Sequence, residues 1–231
     1  MKAQGFDFIP WQLRQAVLGF ILTPRRLALL KHRKIIQRSD DLTLGFGGVL
    51  NDGRPVHGGA VKLLALRDAM RCGEESFSIL YAVSSSQPEC AGDLFRLCRK
   101  RGIKIVWNQN GVGYPAWAGR ESERFTGPMR RLRAMADFVV YQSRFCEESA
   151  RRFLGPSNQP SEILFNPVDT SRFVPNKNRV RVAVLRLLCA GTHGTRDRVA
   201  NALEALALLR SGGQKGWLSP LCRSRKLRSR F

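Results

Sequence analysis

The sequence predicts an α/β protein, a Rossmann-like doubly wound parallel sheet followed by an incomplete second Rossmann-like domain. Three features lead there. Short apolar runs alternate with helical patterns from Leu42 through Phe165, the arrangement that builds a parallel sheet covered by helices. The stretch from Ala136 to Phe173 holds a strand, a capped helix and a second strand in immediate succession. After a polar, basic bridge (NKNRVR, 176–181) the pattern restarts with an apolar run at 182–191 and an amphipathic helix at 198–210.

The central stretch is the most explicit. Phe138 to Tyr141 is apolar, β-branched and aromatic, and is bounded by Asp137 and by Gln142 and Ser143, so it reads as a buried strand. Ser143 stands where an N-cap is needed, Glu147 and Glu148 lie near the positive end of the helix dipole, and Arg151 and Arg152 near the negative end. Gly155 and Pro156 end the helix. Ile163 to Phe165 form the next strand, closed by NPVD at 166–169. Such a βαβ unit makes its two strands parallel. Asn166 and Asp169 then follow a strand's carboxyl end, the edge at which open α/β sheets hold ligands.

The remaining elements follow in chain order. Pro10 to Leu22 places Leu13, Ala16, Val17, Phe20 and Ile21 on one helical face with Trp11 at one end. With the basic clusters that follow, the segment 10–38 suits either an anionic membrane surface or docking on the domain or a partner. Leu42 to Leu50 is the first strand and its exit. A turn-rich loop, 51–59, leads into a helix over 60–70 whose apolar positions are Val61, Leu64 and Leu66. Gly58 and Gly59 then stand at a helix N-terminus, where outward amides and the dipole favour a phosphate and no side chain blocks it, although a glycine pair before a helix is more often ordinary capping.

FSILYAV at 77–83 is the next strand, and Cys90 to Arg101 the next helix, with Leu94, Phe95, Leu97 and Cys98 toward the core. Ile103 to Trp107 is a third strand. It leads into NQNGVGYPAWAG at 108–119, a glycine-rich loop in which aromatic faces and amides are set to grip a sugar ring or to fill a gap in the core. Gly111, Gly113 and Ala116 formally fit a dinucleotide fingerprint, but Pro115 and the glycine-broken run to Gly119 give no helix start there.

Charge is concentrated at the ends. Of a net +21, Met1 to Arg38 has eight basic residues against one acid (+7) and Ser211 to Phe231 six against none (+6), leaving the body at +8. A basic tail at 211–231 without helical or strand period needs no specific nucleic-acid partner, and no recognition motif is present. The six cysteines form no CxxC pair and only three histidines could join them, so no metal site is expected and the thiols read as reduced, in a cytoplasmic protein. The longest early apolar run, Ala16 to Leu22, falls far short of the roughly 20 residues that span a bilayer.

Four segments together resemble glycosyltransferase family 4, also called group 1, of the two-Rossmann-domain GT-B fold. They are VHGGAVKLL, WNQNGVGYPAW, YQSRFCEESARRFLG and ILFNPVDTSRF, and the resemblance covers about Asp41 to Arg210. It implies sugar transfer, with retention of configuration, from a nucleotide-diphosphate sugar to a glycan or lipid-linked acceptor in polysaccharide or cell-envelope biosynthesis, without a further cofactor. It places Gly58, Gly59 and Arg196 on the donor-phosphate side, Asn108, Asn110, Gly111, Gly113 and Tyr114 on the acceptor side, and Asn166 and Asp169 at the hinge. It names no catalytic residue here: the family's basic pair and E-x7-E carboxylates have no counterpart in Ser211 to Phe231, which contains no Glu. The expectation is therefore an amino-terminal domain with a truncated or frameshifted donor domain, 39–175 and 176–210. A non-catalytic acceptor-binding or scaffold protein is the alternative.

Overall fold

Five strands lie side by side, all parallel, in one sheet: β1 (Leu44–Gly45), β2 (Ile79–Val83), β3 (Lys104–Gln109), β4 (Phe138–Tyr141) and β5 (Ser161–Ile163), in that spatial order. The computed structural model describes residues 24, 27, 29–31, 33–50, 58–171, 173–175, 184–191, 196–213 and 215–222. The expected amphipathic helix at 10–22, the loop 51–57 and the bridge 176–181 lie outside the described residues.

Alternation along the strands fills two cores, one on each face of the sheet. Leu80 and Ala82 of β2, Ile105 and Trp107 of β3, and Val139 and Tyr141 of β4 face one side. There they meet Leu94, Phe95 and Cys98 of α2 (Ala91–Lys100). Behind α3 (Pro115–Ala118) and a 3-10 turn at Gly119–Glu121 comes α4 (Ser122–Met135), which adds Leu132, and α5 (Arg144–Leu154) adds Ala150 and Leu154. Leu44, Tyr81 and Val83 face the other side, against Leu63 and Leu66 of α1 (Gly58–Ala69). The two-sided cover is what makes these strands apolar on both faces.

The sheet reverses direction at β1. The chain leaving α1 first returns beside the outer edge of β1, where Leu44 bridges Cys72 in parallel through Leu44 N to Arg71 O (3.0 Å) and Gly73 N to Leu44 O (2.9 Å). It then crosses to β2 on the opposite edge, where Ser78 N and Ile79 N donate to Thr43 O at 3.0 and 3.1 Å. One crossover goes outward beneath α1 and the later ones go the other way beneath α2, α4 and α5. That change of direction with a change of face is double winding, and it puts the topological switch point at the carboxyl ends of β1 and β2.

Several boundaries differ from the sequence reading. Leu42 to Leu50 contributes only a two-residue strand, because Gly47 and Gly48 turn the chain at φ 63° and 79°. β5 ends at Ile163, leaving Leu164 and Phe165 exposed, since among the described residues no strand lies beyond β5 to extend the ladder. A helix does begin at Pro115, where a proline at the first position loses no intrahelical bond, yet it closes after one turn at Gly119. α4 has no counterpart in the sequence reading, because Gly127 and Pro128 interrupt its pattern.

The chain divides into two compact units, Met1–Val168 and Asp169–Phe231. The second contains β6 (Leu185–Gly191), α6 (Arg196–Ser211) and β7 (Gly216–Cys222), with β6 and β7 parallel from Leu185 opposite Gly216 to Gly191 opposite Cys222. The expected irregular tail over 211–231 is thus corrected at 216–222, where GWLSPLC pairs along its whole length despite Pro220. This βαβ unit is Rossmann-like in its connection. Among the described residues no helix is long and apolar enough to cross a membrane.

Candidate functional site at the carboxyl edge of the sheet

The edge is built by the residues immediately past β2 and β3. Ser84 N donates to Asn108 O (2.9 Å), extending the β2–β3 ladder one step. The Ser84 hydroxyl then donates to Asn110 Oδ1 (2.7 Å) and accepts from Asn110 N (3.1 Å). Ser85 N donates to the same Oδ1 (3.1 Å), and Asn110 Nδ2 donates to Ser85 Oγ (2.7 Å). Asn110 is thus a brace between two strand exits. Beside it, Trp107 Nε1 donates to Gln109 Oε1 (2.7 Å) and Gln109 Nε2 to Gly111 O (2.5 Å), so these fully buried side chains satisfy one another.

α1 descends directly onto this brace. A Cβ on Gly59 would strike Ser85 Oγ, lie 2.6 Å from Ser86 Oγ and 3.3 Å from Val83 Cγ1, so the helix approaches β2 only because glycine is there. Gly58 and Gly59 form the first turn of α1 and do not precede it, and that turn contains no acidic residue of its own. The first-turn amides of a helix have no intrahelical acceptor, and here the turn supplies no acidic side chain of its own.

The expected helix face is rotated by one position. Val61 is 45% exposed, whereas Gly59, Lys62 and Leu63 are buried and Leu66 half-buried, the i, i+3, i+4, i+7 stripe of a sheet-facing helix. Lys62 is only 3% exposed, and its ammonium donates to Leu164 O at 2.7 Å. Burial lowers its pKa from 10.5, with the Cys146 thiol acting weakly in the other direction. Among the described residues no carboxylate lies within ion-pair distance of it. Cys146 sits in the first turn of α5, where its amide is capped by Ser143 Oγ (3.2 Å) and its thiol points at Asn110 O (3.5 Å).

The sequence-derived candidates separate into groups. Asn108 and Asn110 stand at this edge, Asn108 at 1% exposure with Nδ2 donating to the Tyr81 hydroxyl at 3.0 Å and Oδ1 without a partner among the described residues. Tyr114 packs on Phe153 with ring centroids 5.9 Å apart, so its ring serves the α4–α5 side core. Gly113 is there for packing, since a Cβ would lie 2.6 Å from Phe125 Cβ, and its carbonyl takes the Ser122 hydroxyl. Gly111 faces open space. Asn166 is exposed, three residues past β5. Asp169 and the backbone of Arg196 belong to the second unit, where Asp169 Oδ1 accepts from Ser171 N (3.0 Å) and Ser171 Oγ (2.6 Å).

Lys62, Ser84, Ser85 and Cys146 were not among the sequence-derived candidates. A signal existed for Lys62: it lies three residues after Gly59 and four before Leu66, on the stripe that those two define. Chemically, the assembled edge offers helix amides, a buried ammonium, two serines and an orphan amide oxygen. It can hold and orient an oxygen-rich, negatively charged ligand. Among the described residues no group of three or more His, Cys, Asp or Glu is placed to hold a metal. No protein-family model and no curated protein matches this chain.

Proposed function

We propose that the chain is a glycosyltransferase-like protein that works on a nucleotide-diphosphate sugar and a glycan or lipid-linked acceptor at the carboxyl edge of its first sheet. The observation that carries this reading is the α1 N-terminus lying on the Ser84–Ser85–Asn110 brace at the switch point. Helix-terminal amides favour phosphate oxygens, and amide and hydroxyl side chains suit sugar hydroxyls. In this reading the reaction needs its diphosphate leaving group neutralised, a task for the backbone amides of Gly58 and Gly59. The place of work is the cytoplasmic side of a membrane, with the basic segment 10–38 as a peripheral contact. No specific nucleic-acid partner is invoked.

A second reading is favoured by one feature. The side chains gathered at the edge, Lys62, Ser84, Ser85, Asn108, Asn110 and Cys146, include no carboxylate to act as acid, base or nucleophile. The chain would then bind acceptor without transferring sugar. Incubating the purified chain with labelled nucleotide-sugars and lipid-linked or soluble glycans separates the two. Transfer or nucleoside diphosphate release supports the enzyme, acceptor binding without turnover supports the binding protein, and neither result removes the sugar-handling assignment.

A further inference from the structure

The carboxyl edge contains two unmet requirements on the same face of the sheet. Lys62 brings a buried positive charge without a counter-ion among the described residues. Asn108 brings a buried acceptor, Oδ1, without a donor among the described residues. Their placement is fixed by register. Tyr81, Val83 and Asn108 share the α1 side of the sheet, as the Asn108–Tyr81 hydrogen bond requires. Asn108 is opposite Val140 in β4, and the next residue, Tyr141, accepts at its carbonyl from the amide of Leu164, whose own carbonyl takes the Lys62 ammonium. The amine therefore ends at Leu164, past β5, and β4 lies between β5 and β3, the strand that carries Asn108.

Each group costs free energy as it stands. A buried ammonium without an anion and a buried amide oxygen without a donor are among the most expensive arrangements in a core. A ligand that supplies a negative charge and an adjacent O–H would satisfy both. A neutral sugar provides only the O–H, and inorganic anions without a hydroxyl provide only the charge.

We infer that Lys62 and Asn108 form a recess for an anionic saccharide, whose carboxylate or phosphate meets the Lys62 ammonium while a neighbouring hydroxyl donates to Asn108 Oδ1. This rests on the reading of the sheet edge as a saccharide site and narrows it from any sugar to an acidic one. Tyr81 holds the other end of the Asn108 amide, and the Cys146 thiol lies near enough to the ammonium to act on its charge.

The test is calorimetric titration of the full chain with glucuronate, glucose 6-phosphate and glucose, for wild type, Lys62→Met, Lys62→Arg and Lys104→Met. Lys104 is an exposed partner of Asp137, so its replacement removes the same charge far from the edge. The expected result is that one or both acidic sugars bind wild type and Lys104→Met about tenfold or more tighter than glucose. Lys62→Met abolishes that preference and Lys62→Arg retains part of it. A preference for glucuronate alone identifies a uronic acid, and one for the phosphate alone a sugar phosphate.

A wild-type pH series needs no variant: affinity for the acidic sugars should fall as pH rises toward 10.5 while glucose binding stays flat. Equal loss in Lys62→Met and Lys104→Met, or glucose binding as tightly as its acidic relatives, overturns the inference and leaves the saccharide reading standing. No binding of any of the three sugars overturns both.

Discussion

Lys62 sits where its charge is most costly to the free protein, and its effect on stability runs opposite to its effect on binding. Replacing an unpaired buried ion with an apolar side chain of similar length is neutral or stabilising, by about 1–4 kcal/mol. Lys62→Met should therefore raise the urea midpoint of the ligand-free protein at neutral pH. The sign follows from the lowered pKa. Between the lowered value and 10.5 the unfolded chain holds a proton that the folded chain has lost, so wild-type stability gains on the variant as pH rises through that window. A variant less stable than wild type at neutral pH would show that the ammonium is already compensated.

Two other buried groups act in the reverse sense. Burial pushes the Cys98 thiol from 9.0 up to about 12, against the pull of Arg33 and Arg101, and the Tyr81 phenol from 10.0 up to about 12. Here the folded protein keeps protons that the unfolded chain releases, so stability falls as pH climbs from the unfolded values toward about 12. Cys98→Val keeps the volume and removes one titrating group. Melting temperatures measured across the alkaline range should decline less steeply for the variant than for wild type.

At the scale of the element, what was legible depended on how many independent signals each segment carried. α5 was readable from Ser143 through Gly155 because a cap, a dipole-matched charge order and a glycine stop agree, and the structure has Ser143 Oγ accepting from Cys146 N. α1 was readable as a helix but not as to face. Its hydrophobic positions nearly encircle the axis, and the choice of stripe was made by packing of Gly59 on Ser85 and of Leu63 beneath Tyr81. β7 was not legible, since its pairing with β6 is a long-range property that GWLSPLC does not advertise. At the site, Asn108 and Asn110 were found from the loop composition. Whether an asparagine is a free amide or a brace depends on Ser84 and Ser85, 26 and 25 residues earlier than Asn110.

β1 shows how one residue sustains an element of minimal length. Gly45 in β1 lies so close to Phe77 that an added Cβ would be 2.5 Å from its ring, and Phe77 is fully buried. Gly45→Ala should cost about 1–3 kcal/mol by overpacking. The loss would fall on the switch point, because β1 has only two residues with which to anchor the reversal. A denaturation midpoint unchanged by Gly45→Ala would mean that Phe77 can move and that β1 is not the fixed point of the sheet.

Across the whole molecule the two units have unequal means of holding themselves together. In the first, Leu80, Leu94, Phe95, Ile105, Trp107 and Val139 are all fully buried, and the interior strands β2, β3 and β4 are bonded on both sides. In the second, the described residues form a two-stranded sheet, β6 with β7, and Leu188, Leu203 and Leu208 are 66%, 52% and 73% exposed. A pair of strands with one helix is marginal by itself in water, and local opening follows buried area. Hydrogen exchange on the full chain should therefore show the amides of β2 to β4 exchanging only with global unfolding. Those of β6 and β7 should exchange about tenfold or more sooner, in a step of their own. Equal protection in both sheets, lost together in denaturant, would mean that the second unit draws its stability from the first and that the chain unfolds as one body.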